Sequence, residues 1–161
     1  MTNQTTENQT VFVREVRAQY TSAQQPRFRV SHPGDAARFI HRILPDNSRE
    51  HFVTLHLDGA HQVIAYSVTA TGTANGCVVH PREVFQTACL VGAVAVIVGH
   101  NHPSGNVLPS ALDESLTKAL REVGDMLRLK VLDHVIVTED QFYSFDSKTT
   151  AIWSMEDVTI V

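Results

Sequence analysis

The chain is poor in the features that tie a protein to a membrane, an oxidising compartment or a nucleic acid. It has two cysteines in 161 residues, Cys77 and Cys89, and such a pair reads as reduced thiols packed as small hydrophobes, not as a disulfide framework. Its longest nearly apolar run, residues 88–99, covers 12 positions and includes two glycines, short of the roughly 20 residues that span a bilayer. No membrane anchor is expected. The start, MTNQTTENQT, carries neither the basic nor the apolar segment of a secretory signal, so a cytoplasmic location is expected. The N-x-T triplets at Asn3 and Asn8 are then not expected to carry glycans. Basic charge is not in excess either. Thirteen Lys plus Arg against 17 Asp plus Glu leave a formal charge of -4 and a pI near 6.1, which removes the electrostatic footprint of tight binding to phosphate backbones.

What is present suits one soluble core. Hydrophobic residues make up 43% and charged residues 19% of the chain, as in ordinary globular domains. Residues 1–10 are polar and aperiodic and read as a disordered tail, leaving 11–161 as a single domain. Nine histidines is an unusual number for this length.

Periodicity sketches the elements. Alternation over 11–20 suggests a strand. Asp35 is expected to cap a helix with Ala36, Phe39, Ile40, Ile43 and Leu44 inward, stopped by Pro45. Residues 51–58 and 62–71 read as a β-hairpin turning at Gly59. Pro81 opens a helix with Val84, Phe85, Ala88 and Cys89 inward, ending at Gly92. The unbroken β-branched run 93–98 is expected to be a central strand covered on both faces. A helix from Ser110 should present Leu112, Leu116, Leu120, Val123 and Leu127 to the core, with Gly124 as a tolerated cost. Residues 131–138 and 142–145 read as paired strands, and 147–161 is ambiguous. Helices interleaved with strands and hairpins predict an α/β domain of three layers with a mixed sheet.

The chemistry gathers behind the buried run, at Gly99-His100-Asn101-His102-Pro103-Ser104-Gly105. Strand side chains alternate, so His100 and His102 share a face and can reach one cation. Ser110-x-x-Asp113 follows at a loop-to-helix junction, where Asp113 offers a third, harder ligand. Three protein ligands leave a fourth tetrahedral position to water, the mark of a catalytic zinc site, and bound water is then a usable nucleophile. The same Ser110-x-x-Asp113 is also a capping box, which needs no metal.

The spacing H-x-H-x7-S-x2-D resembles the JAMM motif of MPN-domain metalloproteases. The wording HNHPSG, with VHPREVF before it, LDHVIV after it and GT-x-N at 72–75, is similar to the RadC family over about residues 50–145. The resemblance implies a cytidine-deaminase-like α/β/α fold, one zinc ion held by His100, His102 and Asp113, and Ser110 steadying a developing oxyanion. It also implies a Glu just before an early strand as general acid/base. Glu50 is the matching position and Glu83 the rival. A strand edge can deliver Glu50 to the metal water, whereas Glu83, in a first helical turn, suits the helix dipole. His80, Arg82 and His134 match family-typical words and are candidates for a role behind the ligands or against substrate, or for plain structural pairing. The remaining histidines, 32, 41, 51, 56 and 61, read as surface or packing residues.

Three functions compete. A zinc metallohydrolase cutting an amide or isopeptide bond in a peptide or protein leads, because every ligand is present. The alternative is a non-catalytic MPN-like scaffold or a DNA-repair-associated binding protein. The residues ahead of the match are too few for the helix-hairpin-helix module common in full-length RadC proteins, which weakens the repair reading. A metal-dependent nuclease would call for a basic groove that pI 6.1 does not supply. The contiguous His-Asn-His is not an HNH nuclease signature, which spreads over a ββα unit. Strong nucleic-acid binding is therefore not expected.

Overall fold

The computed structural model describes residues 27–74 and 76–152, together with Thr21. The tail and strand expected over residues 1–20, Asn75 of the GT-x-N word and residues 153–161 lie outside the described residues.

The first helix, α1, covers Pro33–Ile43. Its cap is His32, not Asp35: the His32 ring accepts the Gly34 N–H, while Asp35 sits at the third helical position and its carboxylate accepts the His32 N–H. The expectation failed because imidazole can serve as the capping acceptor, which frees the carboxylate for the reciprocal half of a capping box. The hairpin follows as β1 (His51–Leu57) and β2 (Val63–Thr71). Next come α2 (Pro81–Leu90), β3 (Ala95–Asn101) and α3 (Ala111–Leu127). The chain continues through β4 (Lys130–Val137), β5 (Gln141–Ser144) and β6 (Thr149–Ile152).

The six strands form one mixed sheet in the order β2-β1-β3-β4-β5-β6. Among the described residues only β3 and β4 run parallel; parallel neighbours need a crossover, and α3 supplies it. Every residue of β1 and of β3 is buried. One face of the sheet packs Val53, Leu55, Leu57, Ile97, Val135 and Val137 against Ala36, Phe39 and Ile40 of α1. The other packs Phe52, Val96, Val98 and Val131 against Val84, Phe85 and Ala88 of α2 and Leu120 of α3. The result is the expected three-layer α/β arrangement. Among the described residues no helix is long and apolar enough to cross a membrane.

Two helix faces differ from expectation. Cys89 is exposed because the inward stripe of α2 is Val84, Phe85 and Ala88, and 100° per residue carries position 89 to its rim. In α3 the buried residues are Thr117, Leu120 and Gly124, while Leu112 is 81% exposed. The helix is rotated toward its small and polar side. Gly124 is the cause: a Cβ there would stand 2.5 Å from the Leu129 carbonyl oxygen and 3.2 Å from the ring of Phe85. Its missing side chain lets α3 lie against the start of β4, and the rotation carries Asp113 and Thr117, one and two turns from the helix start, toward the end of β3.

Candidate metal centre

His100 is the next-to-last residue of β3, and His102 lies one residue beyond its end. Both emerge from the C-terminal end of a buried strand, beside the N-terminus of the crossover helix. Asp113 stands in the first turn of α3. Among the described residues His100, His102 and Asp113 form the group able to hold a metal ion, with one candidate ligand atom from each lying within 4.8 Å of the others. His100 Nε2 is 2.9 Å from His102 Nε2 and 3.2 Å from Asp113 Oδ1, and His102 Nε2 is 3.6 Å from Asp113 Oδ2. Donors held about 2.0–2.1 Å from a tetrahedral ion stand roughly 3.3 Å apart. The two ring nitrogens and the Asp113 carboxylate, which meets each ring through a different oxygen, are thus close enough together to face one cation.

Proton counting agrees. The Thr117 hydroxyl donates to the Asp113 backbone carbonyl at 2.6 Å and lies 2.6 Å from His134 Nδ1. Its one proton is committed to the carbonyl, so His134 Nδ1–H donates to Thr117. Burial, with the charge of His100 adding to it, holds His134 well below the ordinary histidine range, so the ring is neutral and its Nε2 is an acceptor. That nitrogen is 2.9 Å from His100 Nδ1, which must then carry a proton, so Nε2 is the His100 atom open to a cation. His102 Nδ1 lies 2.6 Å from the Asn106 carbonyl oxygen, which can only accept, so Nδ1 carries a proton and Nε2 is the atom whose lone pair a cation would engage. Two ring nitrogens and a carboxylate converge, and a cation would satisfy all three in place of the protons they otherwise share.

Asp113 completes the capping box and also stands beside both histidines. Its Oδ2 accepts the Ser110 N–H at 2.7 Å and the Ser110 O–H at 2.6 Å, while Oδ1 faces His100. Burial alone would raise its carboxyl, but the bonds to His100, His102 and Ser110 and the His100 charge hold it far below the usual carboxylate range. For His102 burial pulls down, and the bonds to Asp113 and the Asn106 carbonyl with the Asp113 and Glu50 charges turn the net shift upward.

Glu50 stands immediately before β1, half-buried. Its N–H donates to the Thr73 carbonyl at 2.9 Å, and its carbonyl accepts the Gly72 N–H at 2.8 Å. Burial raises its carboxyl, the His100 and His102 charges oppose the rise and the Asp113 charge adds to it. Glu50 thus lies within the field of all three candidate ligands. Glu83 is in the first turn of α2, and its charge acts on Cys77.

Of the other candidates, His134 is fully buried, stacked on Phe145 at 4.7 Å and edge-on to Phe52 at 5.5 Å. The neighbouring Asp133 carboxylate, accepting from Ser144 Oγ, the His134 N–H and the Asp146 N–H, ties down the turn that carries Phe145. His80 caps α2 through its backbone without a side-chain cap bond, and His80 and Arg82 are exposed. Neither belongs to the cluster. Sequence reasoning passed over Thr117, whose one signal was its place four residues after Asp113, where the helical period aligns the two.

Known proteins bear on this geometry. Residues 30–150 match the model of the RadC-like JAB domain. The chain belongs to the RadC family. It is 42% identical over 112 residues to a UPF0758 protein of Chlorobium chlorochromatii, covering 70% of this chain and 50% of that one. It is 43% identical over 117 residues to a UPF0758 protein of Trichlorobacter lovleyi, covering 73% and 51%. A UPF0758 protein of Methanosarcina mazei is 36% identical over 124 residues, covering 77% and 54%. The chain spans about half the length of these RadC relatives.

Substitution of Asp113 by asparagine separates the two duties of this residue. Asparagine keeps an acceptor for the Ser110 N–H but loses the charge facing His100 and His102, so metal-free Asp113→Asn should melt below wild type, and each protein's zinc-induced shift is read against its own metal-free baseline. Zinc should raise the melting temperature of wild type much more than that of the variant, because it stabilises whichever native state binds it. Equal stabilisation of the two proteins would leave Asp113 a cap only.

Proposed function

We propose that this RadC-like JAB domain is a zinc-dependent hydrolase of amide or isopeptide bonds in a peptide or protein substrate. The observation that carries the proposal is the convergence of three ligand atoms with their tautomers set from behind, and a half-buried glutamate in their field. His100, His102 and Asp113 would hold zinc, which supplies Lewis acidity toward the substrate carbonyl and lowers the pKa of water. Glu50 takes the proton of the attacking water and returns it to the leaving nitrogen, and its raised carboxyl brings the acid form nearer neutral pH. Ser110 meets the developing oxyanion when its hydroxyl turns from Asp113. Peptide or protein substrate is favoured over nucleic acid because the chain is net acidic.

The experiment uses zinc-loaded and chelator-stripped protein against a peptide library and lysine-linked isopeptide conjugates, with new termini read by mass spectrometry. Cleavage is expected with zinc, lost on stripping and restored by zinc. Identical products from both preparations would overturn the metal mechanism, and zinc bound without any cleavage would favour the binding-scaffold reading.

A further inference from the structure

The β1–β3 ladder stops at Phe52↔His100. One step further the backbone pairing is replaced by a side chain. Asn101 is 1% exposed, and its Oδ1 accepts the His51 N–H at 2.8 Å. Its Nδ2 donates to the Arg49 carbonyl and to Asn47 Oδ1, both at 2.9 Å. The orientation of the amide is fixed, since the His51 N–H can only donate and the Arg49 carbonyl can only accept. All of this bonding goes to residues 47–51, and two of the bonds grip the backbone immediately before and after Glu50. On its other side Glu50 is held by Gly72 and Thr73. Glu50 is thus clamped between an extension of the hairpin and one buried carboxamide, at the point where the strands part.

We propose that Asn101 is a positioning residue for Glu50: its carboxamide closes the end of the sheet and sets where the Glu50 side chain stands relative to His100, His102 and Asp113. The inference rests on the reading of Glu50 as proton carrier. A bridging backbone ladder would hold β1 flush against β3, and the longer reach of the amide leaves room between the strand ends.

The test compares wild type, Asn101→Ala and Asn101→Asp, each loaded with Co2+ in place of zinc, by paramagnetic relaxation of the Glu50 side-chain protons. In Asn101→Ala the Glu50 relaxation should fall several-fold, while the His134 ring protons, on the far side of the ligands, keep wild-type values. Asn101→Asp retains the acceptor for His51 and loses both donors, so its Glu50 signals should fall in between; it also serves if the alanine variant does not fold. In metal-free protein the His51 amide should exchange roughly fivefold faster or more in Asn101→Ala, as expected for loss of one hydrogen bond. Where the peptide assay gives turnover, kcat should drop with KM and metal content unchanged. Unchanged Glu50 relaxation in both variants would overturn the proposal, as would an unchanged His51 exchange rate. A wild type that takes up no cobalt would instead remove the metal reading, with the exchange arm still deciding the clamp.

Discussion

Glu50→Gln is expected to fold, bind zinc and lose hydrolysis by roughly 10²- to 10⁴-fold, about 3 to 5 kcal/mol of transition-state stabilisation. Glutamine keeps the shape of the side chain and its capacity for hydrogen bonds but cannot carry a proton. The expectation rests on placement: the Glu50 carboxyl feels His100, His102 and Asp113 together, whereas Glu83 sits in the first turn of α2. Glu83→Gln should stay within a small factor of wild type. The comparison is kcat/KM at matched zinc content. The pH profile adds a check: a base must be ionised to act, so the acidic limb of the wild-type profile should vanish in the variant's residual activity. A larger loss from Glu83→Gln than from Glu50→Gln would transfer the proton-carrying role to α2.

The double substitution His100→Ala plus His102→Ala should take zinc content from about one per chain to near none, because a lone carboxylate makes a poor zinc site. Elemental analysis after dialysis reads it directly. At zinc a thousandfold above its dissociation constant, binding stabilises wild type by about 4 kcal/mol, which for a domain of this size corresponds to roughly 10 °C in melting temperature. The variant should show no such rise. Unchanged metal content would remove the site altogether.

The order and type of the elements were legible in the sequence because the core obeys simple periods. Val53, Leu55 and Leu57 alternate on β1, and the unbroken run through Ile97 and Val98 is buried on both faces. The clustering of His100, His102 and Asp113 was legible from spacing, since a strand end followed by a helix start brings a linear motif together. What escaped were choices made by tertiary contact. The rotation of α3 follows from the close approach allowed at Gly124, which no apolar pattern encodes, and it turns Thr117 inward and Leu112 outward. β6 is a short, mostly exposed edge strand with little hydrophobic signal of its own. Asn101 lay in plain view between the two histidines, but its function depends on residues fifty positions earlier, and pairing of that kind is written in no local pattern.

The single parallel pair of strands has a consequence for the order of assembly. His100, His102 and Asp113 all belong to the crossover from β3 into α3, whereas Glu50 arrives from β1, tied by a contact between residues 50 apart in the chain. Closing the short loop from His102 to Asp113 costs about 1 kcal/mol less entropy than closing the long one. On refolding, the cluster of His100, His102 and Asp113 should therefore form more readily than the contact that brings residues 47–51 to Asn101.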